Sequence, residues 1–413
     1  VIEWADFLRA NDYGKMCLTV ASQSMQTFRH RYLKESILID GNPEALEISR
    51  AAYHGGRVEC FYLGPLRGPL YLLDINSLYP SVMVSNRFPV RLRGVYRNLR
   101  PEELLHLLSD FCVCAQVTVR TRTPFAATVE DGKLIFPVGE FNAYLSTPEL
   151  EYAFQNEDVL RVQACAVYEP GSPFGHFVHD LYDRKVRAAR DGKIVEAGHY
   201  KLLLNSFSGK WGQNGIKWKT LGRAKSQRIR FARVLDFDTR QVTQYRTFLG
   251  RVQVKETIHE SANSHPAIAA HITSHGRMRL WALLRQVSPE NRFYCDTDSI
   301  LVNEDGLKQV GDISQNEILG ALRQVGQYAD GFIHGCKDYV LDGRRTCKGI
   351  RDQAIEVDPG TYHQDKWVGF RTALANGWLD GPRTQSLVKH LRRVYDKGRV
   401  APSGFVFPLH RPL

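Results

Sequence analysis

The sequence predicts an α+β fold in which antiparallel strands stand beside distinct helical segments. Three observations predict it. Residues 293–295 and 299–302 are short apolar runs facing each other across Asp296-Thr297-Asp298, which reads as strand, tight turn, strand. Residues 213–256 alternate polar and apolar positions and are rich in Thr, Val, Tyr and Arg, the pattern of a small β-ribbon. Residues 174–204 are helical in period and break at Asp191-Gly192, as two antiparallel helices joined by a basic turn would.

The remaining elements follow in chain order. Helical stretches are expected around 19–32 and 43–53, ending at Tyr53-His54-Gly55-Gly56, where two glycines turn the backbone. Gly64-Pro65 and Gly68-Pro69 bracket a short connection, and the apolar run 70–73 then reads as a buried strand that stops at Asp74. Strands are expected over 111–120 and 134–138, with a helix near 147–155. Pro266 suits a first helical turn, and a long helix follows over 267–287. The last seventy residues are basic, expected to be partly helical, and end in a Pro-rich tail.

The 413 residues suffice for two or three domains, and 43% hydrophobic with 24% charged residues is ordinary for a globular chain. No apolar run reaches the roughly 18 residues of a membrane span. The chain opens Val1-Ile2-Glu3-Trp4 without an initiator Met or a secretory pattern, so a start inside a longer protein is expected. Eight cysteines are scattered with no C-x-x-C pair, and Cys112 and Cys114 suit a strand better than a zinc knuckle. Reduced thiols and an intracellular, non-secreted protein are the expectation, in a bacterial or host cytoplasm or a mitochondrion. The net charge is +11, and thirteen Lys or Arg against Asp183, Asp191 and Glu196 place an excess of +10 between positions 181 and 230. A polyphosphate partner accounts for such a cluster, because each phosphate contact releases counterions. A solvated helix face would show the same charge.

Two places offer carboxylates at the ends of buried strands: Asp74, and Asp296 with Asp298. Phosphoryl transfer asks a protein for position and charge neutralisation, and two metals about 3.5–4 Å apart supply both. Magnesium takes one or two carboxylates plus substrate phosphates. A lone aspartate at a strand end is more often a turn former. The neighbours shift that balance.

Asp74-Ile75-Asn76-Ser77-Leu78-Tyr79-Pro80-Ser81 resembles the D-x-x-S-L-Y-P-S element of family B DNA polymerases. Tyr294-Cys295-Asp296-Thr297-Asp298-Ser299 is similar to that family's Y-x-D-T-D-S element, and Lys201 to Gly209 to its K-x-x-x-N-S-x-Y-G element. The three occur in the family order, and the resemblance spans about residues 50–350. It implies a right-hand polymerase fold with an antiparallel-sheet palm, two-helix fingers and a small thumb. It also implies a DNA-directed DNA polymerase using two Mg²⁺ ions, for which Mn²⁺ can substitute. Asp74 and Asp298 would ligate the metals together with the backbone carbonyl of Ile75, while Asp296 supports the site from its edge. Ser77, Leu78 and Tyr79 would line the nucleotide, with the Tyr79 ring excluding a 2′-hydroxyl. The alternative for Tyr79 is an ordinary core aromatic.

Lys201 and Asn205 lie one helical turn apart, and Gly209 extends that face, where a base pair could approach the backbone. Lys201 would meet the triphosphate as a mobile point charge. One or more of Arg184, Arg187, Arg190 and Lys193 on the preceding helix and turn would join it. One departure stands out: Ser208 replaces the motif tyrosine, which puts base-pair fidelity and nucleotide affinity in doubt. Phe207 or Trp211 are candidates to fill the gap.

Further segments resemble the protein-primed organellar, viral and phage branch. Tyr53-x-Gly55-Gly56 looks like a Y-x-G-G template-contacting element, and Thr273-x-x-Gly276-Arg277 like a T-x-x-G-R element near the primer end. Lys348-Gly349-Ile350 is similar to a lysine segment opening the thumb, without an intact K-x-Y. The implied organisation begins with remnant exonuclease-side helices and linker (1–57) and the first part of the palm (58–92). An insert resembling the priming-protein-binding region (93–170), fingers (171–212) and a β-ribbon insert (213–256) follow. The second palm part (257–340) and a thumb with C-terminal tail (341–413) complete it. The implied partners are DNA template and primer, deoxynucleoside triphosphates and a terminal priming protein, with no membrane, and the chain acting as a monomer. The family's exonuclease would precede Val1, so proofreading is not expected. His271 and His275, and His176 and His179, have metal-ligand spacing but no further ligand nearby, and packing or DNA contact is the simpler reading. No P-loop sequence is present. A reverse transcriptase or RNA polymerase would share the palm but more often carries adjacent aspartates in the hairpin. A DNA-binding relative without catalysis, a replication scaffold, is the alternative from another class, with Ser208 its best support.

Overall fold

The structure, a computed structural model, describes residues 2–411 except 40, 216–217, 257–258, 262, 315–316, 370–372 and 374–383. It divides into two compact units, one of residues 1–213, 263–346 and 395–413, the other of 214–262 and 347–394.

The first unit is built on a mixed-order antiparallel sheet. In chain order its strands are β1 (Val58–Cys60), β2 (Gly64–Ile75), β7 (Arg292–Asp296), β8 (Ser299–Asn303), β9 (Leu322–Gly335), β10 (Asp338–Leu341) and β11 (Arg344–Cys347). Their spatial order is β1-β7-β8-β2-β9-β10-β11, which puts β2 between β8 and β9. Leu70 and Leu73 of β2 and Ile300 and Val302 of β8 are fully buried, so the two strands that carry the acidic positions are also among the best anchored. A second sheet holds the antiparallel strands β3 (Phe88–Arg97), β4 (Cys112–Thr121), β5 (Val138–Ser146) and β6 (Val159–Gly171), in the order β5-β4-β6-β3, with the short strand His410–Arg411 added parallel to β5 at its edge.

Helices cover these sheets. Those that frame the site are α1 (Pro43–Ala52), α2 (Leu78–Ser85), α3 (Thr147–Gln155), α4 (Gly175–Arg190), α5 (Ile194–Trp211) and α6 (Pro266–Leu284). Asn42 caps α1 by accepting from Glu44 N and Ala45 N, with Pro43 in the first turn, as helix-start chemistry requires. Helix α6 is buried nearly all round, from Pro266 to Leu284, which explains its lack of a polar stripe. Helices α4 and α5 pack antiparallel, and an aromatic cluster of Phe28, Phe174, Phe177, Phe207 and Trp211 ties them to the segment around 28.

The second unit contains a four-stranded antiparallel sheet, Trp218–Arg223, Arg230–Leu235, Val242–Phe248 and Arg251–Lys255, where the ribbon was expected. It also holds a three-stranded sheet of Ile355–Asp358, Thr361–Trp367 and Thr384–His390.

Three expectations need correction. Strand β2 begins at Gly64, not near 70, because β9 pairs along its whole length and a register shift opposite Arg67 absorbs the prolines. A Cβ on Gly68 would lie 2.4 Å from the Ala329 carbonyl, so only glycine fits at that shift. The strand expected over 134–138 is two strands, Lys133–Ile135 and Val138–Ser146. The last seventy residues are mainly strands among the described residues, and part of that stretch, 370–372 and 374–383, lies outside them.

Candidate active site

The two acidic positions meet at one end of the seven-stranded sheet. Ser299 lies opposite Asp74 on one side of β2 and Arg323 opposite it on the other. Ile75 N donates to the Asp298 carbonyl at 2.7 Å, which fixes the hairpin tip to the end of β2. Thr297 adopts the left-handed conformation at the turn (φ 60°), and its N–H donates to Arg57 O at 2.7 Å. A Cβ on Gly56 would come within 2.7 Å of the Thr297 side chain, so the second glycine of Tyr53-x-Gly-Gly lets this turn sit close.

The site's charge is only partly neutralised. Burial and, after it, the Asp74 carboxylate push Asp298 up to about 6. Asp74 Oδ2 accepts from Arg323 Nε and Nη2, both at 3.2 Å. The Lys337 ammonium bonds Asp296, whose Oδ2 also accepts from Tyr294 Oη at 3.2 Å. Two carboxylates with a shared excess of negative charge fit a divalent cation, which would favour their ionised forms. Among the described residues no three His, Cys, Asp or Glu side chains cluster tightly enough to hold a metal by themselves.

The loop after Asp74 is held by a residue that motif reading passed over. Asn76 is buried; its Nδ2 donates to Tyr182 Oη at 2.6 Å and to Ile318 O at 3.1 Å, and its backbone bonds both Gly320 and Ala321. It thereby joins the acidic strand end to α4 and to the approach to β9. Ser77 takes the left-handed conformation (φ 53°) and starts α2. Leu78 is buried, so its side chain serves the core and only its backbone remains for a ligand. The Tyr79 ring lies against Gly276, where a Cβ would be 2.9 Å from Cε1, and burial raises its hydroxyl to about 12.

On α5, Lys201, Asn205 and Gly209 form an exposed stripe one turn apart, and no atom would obstruct a Cβ at Gly209. The α4 arginines divide. Arg187 and Arg190 are exposed, whereas Arg184 is spent on Asp180, at 2.9 Å and 3.0 Å, and on Asn11 at 3.0 Å. Arg184 is a brace before it is a phosphate ligand. Phe207 and Trp211 are buried in the aromatic cluster on the inner side of the helix pair.

Arg277 and Thr273, expected near the primer end, are buried and make internal hydrogen bonds. Arg277 is 2% exposed. Its Nε and Nη2 donate to Glu149 Oε1 at 3.0 and 2.8 Å, and its Nη1 to His54 O and Gly55 O at 2.9 and 3.0 Å. Thr273 Oγ1 bonds carbonyls of its own helix. Tyr53 packs its ring on Gly212, where a Cβ would meet Cε1 at 2.2 Å, while Gly55 stays exposed. Arg57, also unnoticed in the sequence, is a fully buried partner of Glu59 and stacks on Phe136 at 4.1 Å. Lys348 is exposed in the second unit. The K-x-Y form missing there does occur at Lys337-Asp338-Tyr339, whose lysine is the one on Asp296. His271 is a core histidine, bonded to Ala267 O at 2.8 Å and Thr147 Oγ1 at 3.0 Å, and His275 packs on Phe88.

Carboxylates gathered from a strand end and a hairpin tip on an antiparallel sheet, beside a basic helix pair, belong to a polymerase fold of the right-hand type. The likeness to phi29 DNA polymerase supports that class. Against its ternary complex with primer-template DNA and incoming nucleotides the TM-score is 0.62 at 15% identity, covering 93% of this chain and 68% of the other. Against its binary complex with primer-template DNA the TM-score is 0.59 at 18% identity, covering 85% and 63%. Residues 6–264 match the family model for DNA polymerase type B, organellar and viral, and the chain belongs to that family. A DNA-directed DNA polymerase of Enterobacteria phage PRD1 is 25% identical over 258 residues, 62% of this chain and 44% of its own length. A probable DNA polymerase of Neurospora intermedia is 21% identical over 303 residues, 70% of this chain and 30% of its own. The chain thus spans less than half of these curated relatives. No helix among the described residues is long and apolar enough to cross a membrane.

Proposed function

We propose that this chain is the polymerising part of a DNA-directed DNA polymerase that extends a DNA 3′-hydroxyl with deoxynucleotides. The observation that carries the reading is the junction of Asp74 with Asp298, tied by the Ile75-to-Asp298 backbone bond of 2.7 Å. Asp74 and Asp298, with the Ile75 carbonyl, would hold divalent cations, Mg²⁺ or Mn²⁺. Such ions supply charge neutralisation at the triphosphate and a more acidic attacking hydroxyl.

The protein's own work is placement. Asn76 and the Arg57 carbonyl hold the two acidic turns in register, and Arg323 and Lys337 keep Asp74 and Asp296 oriented until substrate arrives. The exposed stripe of Lys201, Asn205 and Gly209, with Arg187 and Arg190, offers charge and an open backbone to a triphosphate and a nascent base pair. Tyr79, braced by Gly276, sets the shape that admits a deoxyribose. The 58–92 and 257–340 segments would act as palm, 171–212 as fingers, and 213–256 with 341–413 as DNA-encircling insert and thumb. Membership of the organellar and viral branch supports a priming-protein hydroxyl as a second acceptor, gripped by the 93–170 insert.

Primer extension on a DNA template with Mg²⁺ tests the proposal. Asp74→Asn and Asp298→Asn should each lower extension by more than the roughly 100-fold that losing an outer-shell partner of a metal ligand can cost, while DNA binding persists. Full extension by either variant would overturn it. A scaffold role gains from Ser208 alone, and wild-type protein that binds DNA yet never extends a primer would favour it.

A further inference from the structure

One cation at the acidic site has more donors than the protein itself employs. Arg323 stands opposite Asp74 in register, on the strand that flanks β2 away from the hairpin. Its Nε and Nη2 both reach the same oxygen, Asp74 Oδ2, each at 3.2 Å. That is not the forked pairing of two nitrogens with two oxygens, and both distances are long for a charged pair. Its Nη1 makes no hydrogen bond among the described residues, and 39% of the side chain is exposed. Solvent screens a pair this open, so it is readily exchanged.

The position suits a phosphate. Strand β9 runs beside the loop that follows Asp74: Leu322 lies opposite Ile75, and Asn76 N donates to Ala321 O at 2.9 Å. That loop leads into Ser77, Leu78 and Tyr79, which the polymerase reading puts against the nucleotide. Asn76 also reaches Tyr182 on α4, the helix that carries Arg187 and Arg190. Those arginines and Lys201 offer charge from the helix pair, and Arg323 offers it from the sheet.

We propose that Arg323 is a substrate-binding residue of this site, exchanging Asp74 for phosphate oxygens of an incoming deoxynucleoside triphosphate; this rests on the polymerase reading. A guanidinium presents its N–H groups in a planar fork that matches phosphate, and a carboxylate held through one oxygen leaves most of that fork unused. Releasing Asp74 leaves both of its oxygens to the divalent cation that it would hold with Asp298. No charge is stranded by the exchange, because the carboxylate gains a cation as the guanidinium gains a polyanion.

Equilibrium binding of dATP tests the residue, using protein on a primer-template whose dideoxy end prevents incorporation opposite a template thymine. Arg323→Gln should raise the dATP Kd by about tenfold, the scale of one hydrogen bond to a charged group. The primer-template Kd and the urea midpoint should stay unchanged. Arg323→Lys, which keeps the charge and loses the fork, should fall between wild type and Arg323→Gln. Mn²⁺ binding without nucleotide, followed by electron paramagnetic resonance, should not weaken in Arg323→Gln, since a competing cation has gone.

An unchanged dATP Kd in Arg323→Gln, or in Arg323→Lys should the glutamine variant not fold, would overturn the proposal. So would Mn²⁺ binding that weakens alongside dATP binding, because Arg323 would then act only by bracing Asp74. Wild-type protein that binds primer-template but no dATP would overturn the polymerase reading itself, and the proposal with it.

Discussion

Arg277 shows how much a side chain's surroundings decide its role. Its guanidinium is buried, shared between Glu149 and the carbonyls of His54 and Gly55, so it holds the glycine turn that lets Thr297 approach. Removing one partner of such a pair strands the other charge, which costs about 3–5 kcal/mol. Arg277→Met should therefore lower the unfolding free energy by about that amount in urea titrations. The salt dependence of DNA binding should stay unchanged. A weaker salt slope with undiminished stability would return Arg277 to the DNA surface. Tyr79 is the complementary case, a ring fixed from below by Gly276. Tyr79→Val should admit ribonucleotides, measured as the ratio of kcat/KM for the two sugars, and an unchanged ratio would count against the steric role.

At the scale of elements, the hairpin and β2 act as one piece, because Ser299 pairs with Asp74 and Ile75 bonds Asp298. The helix pair is a second piece, locked by Phe28, Phe174, Phe177 and Phe207 on its inner side. That packing consumes Phe207 and Trp211 and leaves the outer stripe of α5 to Lys201, Asn205 and Gly209. Hydrogen bonds to charged groups contribute about 1.5–3 kcal/mol, so Lys201→Ala should reduce kcat/KM for nucleotides by about 10–100-fold. The loss should appear with every nucleotide alike. An unchanged kcat/KM would mean the stripe faces away from the triphosphate.

For the whole molecule, three interior histidines set a pH dependence. Burial lowers His54 and His271 to about 4 and His275 to about 3, against 6.5 for the free side chain. The unfolded chain takes up protons below pH 6.5 that the folded chain refuses until pH 3–4, so stability falls as pH drops through that window. Each histidine adds a slope of up to about 1.4 kcal/mol per pH unit. Urea midpoints between neutral pH and pH 4.5 should show this, and His275→Leu should have the shallower slope. Equal slopes would mean His275 is protonated inside the fold.

Local chemistry was legible in the sequence. Short apolar runs ending in aspartate marked β2 and the β7–β8 hairpin, Pro266 marked the start of α6, Asp191-Gly192 marked the turn of the helix pair, and the three motifs marked the acidic site. Asn76, Arg57, Glu149, Arg323 and Lys337 carried no such mark, although Lys337-x-Tyr339 stood in plain view as a K-x-Y. Their partners lie far along the chain: Glu149 reaches Arg277, Asp74 reaches Arg323, and Asn76 reaches Tyr182. A pattern within a dozen residues records which faces are apolar and where the backbone must turn, because those constraints are local. Which charge meets which, and whether an arginine points to solvent or to a buried glutamate, is set by how separate elements stack. Only the assembled tertiary structure could decide that.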